Sequence, residues 1–218
     1  ELRVLEPLEE CTYLDSAALV AVDHPEGTTV LPNEMFAILG PAPGYGLLAF
    51  EKKLHPLKAV DQDGADMTSR VQKLDAVYAP ELKPDRRFLG TLEKLQAVEL
   101  DFPAALDELI SSAEPGRPVL FLHGYIEYGY STTNFSASQA GFVPVAPSFR
   151  VERDGKWQTL REEWGFPAGY PRWMSVDLDG LLRPGDRRLR VDTNLEIAWD
   201  EVFIAWARDV DLPGGGDG

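Results

Sequence analysis

The chain has 218 residues, 44% hydrophobic and 26% charged, enough to build a core in one large domain or two small ones. Its formal net charge of −15 sets an acidic surface against phosphate backbones and anionic lipid, so neither nucleic acid nor a membrane is an expected partner. The 19 glycines and 17 prolines favour short elements and many turns, no apolar run approaches bilayer length, and the single cysteine, Cys11, excludes an internal disulfide or a cysteine-based zinc site.

In chain order, TYLDSAALVAVDHP reads as a buried strand closed by a turn at Pro25-Glu26-Gly27. TTVLPNEMFAIL continues extended, with Pro32 marking an edge or a bend, and residues 40–46 form a loop. HPLKAVDQDGADMT predicts a strand leading into a tight Asp-Gly turn. Its DQDGAD string has aspartates at calcium-loop spacing, but the third ligand before the glycine and the closing glutamate are missing, so a turn is the reading. A short helix is expected around Ser69 to Val77, a strand over 94–102, and a helix over 103–113 with Leu106, Leu109 and Ile110 on one face. Residues 117–126 are a strongly apolar strand running into an aromatic loop. PSFRVERDGKWQTLRE is the clearest hairpin, two alternating runs joined at Asp154-Gly155. RWMSVDLDG and RRLRVDTNLEIAWDEVFIAWA supply the last strands, and residues 209–218 form a flexible tail.

The last of these strings carries a phase change. Leu189, Val191, Thr193, Leu195, Ile197 and Trp199 share one face at period two; after Asp200-Glu201 the inward set becomes Val202, Ile204 and Trp206. One extra residue that flips the phase is what a β-bulge or strand break produces. The competing reading makes Asn194, Glu196 and Asp200 a polar pocket or cation site, with calcium as the candidate ion. A weaker internal echo aligns residues 13–22 with 198–207.

Several chemistries lack their residues. The strand followed by His123-Gly124 has the look of an α/β-hydrolase oxyanion loop, but Gly-x-Ser-x-Gly is absent and no histidine follows His123. His24, His55 and His123 lack metal-binding spacing, and His24 before Pro25 suits a turn hydrogen bond. No Walker loop, GxGxxG or CxxC is present, so no nucleotide or redox cofactor is expected. The site-like stretches are the aromatic-polar run YIEYGYSTTNFSASQ and the Gly/Pro-shaped loop WGFPAGYPRWM. Aromatic faces beside amides, hydroxyls and carboxylates are what sugar or peptide recognition uses. The candidate ligand-binding residues are Tyr125, Glu127, Tyr128, Tyr130, Asn134, Phe135, Gln139, Trp164 and Trp173. The alternative is that both loops fold their aromatics over the end of a sandwich.

The strings YLDSAALVAVDHPEGTTVLPNEMF, HGYIEYGYSTTNFSASQAG, GFPAGYPRWMSVDLDG and LRVDTNLEIAWDEVFIA, in this order, resemble the C-terminal module of large bacterial proteins with FG-GAP or ASPIC/UnbV-type propeller repeats or tetratricopeptide repeats. The resemblance spans roughly residues 2–207 and transfers no catalytic residue. It implies an exported or cell-surface protein, periplasmic or extracellular, in which this module is adhesive or assembles with a protein partner or with other domains of a larger chain. No signal peptide is visible, and a start at Glu1 rather than Met suggests a processed or trimmed chain.

The expectation is therefore an all-β protein. An antiparallel, jelly-roll-like (galactose-binding-like) β-sandwich occupies residues 94–208, with a β-rich lobe over 1–93 docked on it. Its function is non-catalytic binding of a protein partner through the aromatic loops. The alternatives are a carbohydrate-binding module, with calcium support, and a glycoside hydrolase using a carboxylate pair such as Glu127 and Glu196.

Overall fold

A computed structural model of the chain describes residues 13, 21, 23–37, 46–111, 115–167 and 169–211. Cys11, most of the expected strand in 12–22 together with that half of the echo, residues 40–45 of the first loop and 212–218 of the tail lie outside them.

The described chain is mostly β, and its sheets are antiparallel. The strands are β1 (Thr29–Pro32), β2 (Met35–Phe36), β3 (Leu47–Phe50), β4 (Lys58–Asp61), β5 (Thr91–Asp101), β6 (Arg117–Ile126), β7 (Ser148–Arg153), β8 (Lys156–Arg161), β9 (Phe166–Pro167), β10 (Arg172–Asp177), β11 (Arg188–Leu195) and β12 (Ile197–Asp209). One five-stranded sheet runs β1-β3-β12-β6-β10, a second runs β4-β5-β11-β7-β8, and β2 pairs with β9. The described strands before residue 90 join these sheets: β1 and β3 extend the first, β4 edges the second. The expected boundary at residue 93 falls inside β5. Pro32 sits on the edge strand β1, where its missing N–H costs no ladder bond.

The two large sheets pack face to face. Val98 and Leu100 of β5, Val151 of β7 and Leu189 and Val191 of β11 meet Leu120 and Leu122 of β6, Met174 and Val176 of β10, and Val202 and Ile204 of β12. In the second sheet the alternate residues, Glu99, Arg150, Glu152, Arg190 and Asp192, form ion pairs on the outer face. This period-two pattern marks a sheet with one buried face. The first sheet differs. Leu48, Phe50, Val119, Phe121, Trp173, Phe203, Ala205 and Ala207 form a second buried cluster on its other face. Both faces of β6 and β12 are therefore apolar, which is why RPVLFLHGYI reads as a near-continuous hydrophobic run. Each fully buried large side chain here stabilises the fold by about 1.5–3 kcal/mol.

The expected β-bulge is present. Trp199 pairs with Gly124 and Glu201 with His123, leaving Asp200 as the extra residue. The phase changes there, so Trp199 belongs to the core between the sheets, as do Val202 and Ile204. Trp206, also assigned to the inward set, is half-buried. The chain passes from β11 in one sheet to β12 in the other through the single residue Glu196, so Leu195 and Ile197 both point into the core.

Turn chemistry follows the sequence. Thr28 N–H donates to Pro25 O across the first turn, and the hairpin β7–β8 turns on Asp154 (φ 52°) and Gly155 (φ 69°), both left-handed. Asp61 Oδ1 accepts from the N–H groups of Asp63 and Ala65, closing the Asp-Gly turn from within. Helix α1 spans Ala105–Ile110, shorter than the expected 103–113, with Leu106 buried and Leu109 and Ile110 packed on the core. Two expectations fail. Around 69–77 there is only a 3₁₀ turn, Thr68–Arg70. The stretch expected to be an aromatic loop contains helix α2, Ser131–Gln139. Only Ala137 of α2 is buried, so the helix carries no apolar period from which to be recognised. Among the described residues no helix is long and apolar enough to cross a membrane.

Candidate functional site

One end of the sandwich holds a cleft of about 320 Å³. Its floor is the end of β6 with Ile126, the following residues Glu127 to Gly129, Gly90 just before β5, Thr91 at the start of β5, and Leu195 of β11. Helix α2 forms one wall through Asn134, Ala137 and Ser138; Phe142, Pro144 and Phe166 complete it. Two glycines let the backbones close in. A Cβ on Gly90, whose φ is +82°, would stand 2.4 Å from Gly129 N and 2.7 Å from Glu127 O, and one on Gly129 would meet Leu89 O at 2.8 Å. Asn134 ties the helix down by donating from Nδ2 to Gly129 O at 3.1 Å. Tyr128 lies edge-on to Phe166, which in turn packs on Phe36. Around the mouth, large apolar side chains face solvent: Tyr130 is 71% exposed, Phe135 67% and Val143 71%. A volume at the lower end of ligand sites with mainly apolar walls suits a single side chain or one sugar ring.

One carboxylate, Glu127, lines this cleft, and a second, Glu196, adjoins it through the cleft residue Gly90. Glu127 N–H donates to Glu196 O at 3.0 Å, so the two glutamates are neighbours just beyond the first β6–β12 pair, Ile126 with Ile197. Glu196 Oε2 accepts from Gly90 N–H at 3.3 Å. Burial pushes the Glu196 carboxyl above its usual value; the Gly90 amide opposes this, and the charge of Glu127 adds to the rise. Among the described residues no lysine, arginine or histidine pairs with either glutamate. Tyr125, set edge-on to Tyr78 at 4.8 Å, adjoins the pair; burial raises its hydroxyl pKa, as do the Glu196 and Glu127 charges.

The candidate residues from the sequence divide. Glu127, Tyr128 and Asn134 line the cleft, and Tyr130, Phe135 and Gln139 stand exposed on or beside α2. Trp164 and Trp173 are not brought there. Trp164 packs against the core and donates from Nε1 to Ser175 O at 3.3 Å. Trp173 is in strand β10, not in a loop, and is buried in the second apolar cluster beside Phe203. Asn194, Glu196 and Asp200 each satisfy separate backbone groups. Asn194 Oδ1 accepts from Val145 N–H and its Nδ2 donates to Val143 O, holding the 143–145 segment that borders the cleft. Asp200 Oδ1 accepts from the N–H groups of Asp75 and Ala76, both at 3.1 Å. Among the described residues no group of three His, Cys, Asp or Glu stands ready to hold a metal ion.

The bulge gathers a second polar cluster that the sequence did not announce. Glu201, 4% exposed, takes Lys53 Nζ at 2.9 Å and His55 Nε2 at 2.8 Å. Burial alone would raise its carboxyl, but the hydrogen bonds and charges of His55 and Lys53 together outweigh it and hold the pKa below the usual value. His123 packs at a tilt against Trp173, ring centroids 4.9 Å apart, with Nδ1 3.3 Å from Asp200 Oδ2 but without a well-aligned hydrogen bond. Burial lowers the His123 pKa, against the pull of Asp200, Glu201 and Glu34. Two of three histidines converging on one Asp-Glu pair is invisible by spacing, since His55 and Glu201 lie 146 positions apart. The one available signal was two adjacent carboxylates inside an otherwise apolar strand.

The chain matches no family model, no curated protein and no solved structure.

Proposed function

We propose that the protein is a non-catalytic recognition module that takes an apolar side chain of a protein partner into the cleft beneath α2. We further propose that the sandwich is jelly-roll-like (galactose-binding-like), and that the module belongs to an exported or cell-surface protein, as its sequence resemblance implies. The supporting observation is the combination of an apolar-walled cavity with Tyr130, Phe135 and Val143 exposed at its mouth. Exposed aromatics around a concave apolar site are characteristic of binding surfaces rather than of solvated ones.

The test is an amide NMR titration with N-acetylphenylalaninamide and, separately, methyl β-galactoside. Shifts at Gly90, Gly129 and Ala137 with the apolar amide, absent in Ser138→Trp, support the reading; Ser138 is exposed, so the bulky replacement fills the cleft without entering the core. Shifts with the galactoside alone transfer the site to carbohydrate. Hydrolysis of a nitrophenyl glycoside, lost in Glu127→Gln, would replace both readings by carboxylate chemistry. A calcium-dependent rise in melting temperature would support the cation site at Asn194, Glu196 and Asp200.

A further inference from the structure

We infer that the cleft selects a basic partner segment, in which an arginine or lysine side chain beside the apolar anchor is held by Glu127 and Glu196. This rests on the cleft being the recognition site and specifies what enters it. Glu127 N–H donates to Glu196 O, which makes the two residues neighbours, and the charge of Glu127 acts on the Glu196 carboxyl, an arrangement that like charges disfavour. Elsewhere the chain answers such crowding with a cation: Glu99 meets Arg188 and Arg190, Asp192 meets Arg150 and Arg190, and Glu201 meets Lys53 and His55. At the cleft, among the described residues, the charge is met only by the Gly90 N–H. Tyr125 and Tyr78 supply aromatic surface next to the same pair, the companion a guanidinium or ammonium group favours. The net charge of −15 adds long-range attraction for a basic segment. An incoming cation would satisfy both carboxylates at once, and arginine, with its planar fork of donors, fits two acceptors better than lysine.

The experiment compares acetyl-Phe-Arg-amide with acetyl-Phe-citrulline-amide, a neutral isostere, by amide NMR on the whole chain at low and high salt. The arginine peptide is expected to bind at least about fivefold more tightly at low salt, with the advantage shrinking as salt rises. In the Glu127→Gln/Glu196→Gln double variant the ratio should fall to about one; a ratio that stays at its unaltered value overturns the role of the two carboxylates. Both changes preserve side-chain volume, and circular dichroism verifies the fold. Equal binding of the two peptides to the unaltered protein overturns the cation inference and leaves the apolar cleft standing. No shift at Gly90, Gly129 or Ala137 with either peptide overturns both.

Discussion

Asp200 shows how much one inserted residue can organise. Its carboxylate, 1% exposed, holds the backbone of Asp75 and Ala76, and so pins the segment between the 3₁₀ turn and β5 onto β12. Asp200→Ala should cost about 2–3 kcal/mol, because two charge-assisted hydrogen bonds go and two amides are left bare. Asp200→Asn, which keeps an acceptor oxygen, should cost less. Urea denaturation of the two variants distinguishes them. The neighbouring His123 sets an acid limit. Its pKa is depressed by burial, so the unfolded chain binds the proton more readily; the stability it contributes is complete above about pH 6.5 and is lost as the pH falls through the folded value. Asp200, Glu201 and Glu34 face it and soften this loss, while Lys53, His55 and Arg172 are already engaged with the last two of those carboxylates. His123→Gln should flatten the melting temperature between pH 6.5 and the onset of Glu201 protonation below pH 4.5. Glu196 runs the other way: its raised pKa means a contribution present below pH 4.5 and lost as the pH rises through its folded value, so Glu196→Gln should raise the melting temperature at pH 7 by a degree or so.

At the scale of elements, legibility followed burial. The boundaries of β6 at 117–126 were readable because apolar side chains fill both its faces, and the β7–β8 hairpin because Asp-Gly supplies two left-handed residues between alternating runs. The phase change at Asp200-Glu201 was readable because period two admits no silent insertion. Helix α2 was not, since STTNFSASQ buries one alanine and depends on Tyr130, Gly129 and the cleft for its place. The cleft was legible only in part. Tyr128, Glu127 and Asn134 stood out by residue type, but its floor comes from Gly90 and Leu195, far away in sequence and ordinary in composition. Trp164 and Trp173 looked like a binding loop because glycine and proline frame them, whereas the strand β10 starts between them. Gly90 is the element-scale test. At φ +82°, with backbone 2.4 Å from a would-be Cβ, Gly90→Ala should destabilise by at least about 2 kcal/mol and abolish probe binding in the cleft. Gly64→Ala, equally left-handed but with open space around it, should pay only the backbone strain and bind normally.

For the whole molecule, the two outer faces carry different surfaces. One is a ladder of ion pairs across β5, β11 and β7, the other an aromatic cluster around Phe121 and Phe203. High salt should therefore weaken the first sheet's outer face little and the second's measurably, a contrast that hydrogen exchange at Arg190 and Phe203 can read. The described strands from both ends of the sequence interleave: β12, from the C-terminal region, pairs with β3 and β6, and β11 with β5 and β7. That Glu196 alone joins β11 to β12 means the layers share a tether with no slack. Neither layer can peel away without dragging the other's longest or second-longest neighbour out of register, so melting should occur as one event, with near- and far-ultraviolet circular dichroism tracing the same curve; two separated transitions would show that the junction transmits nothing.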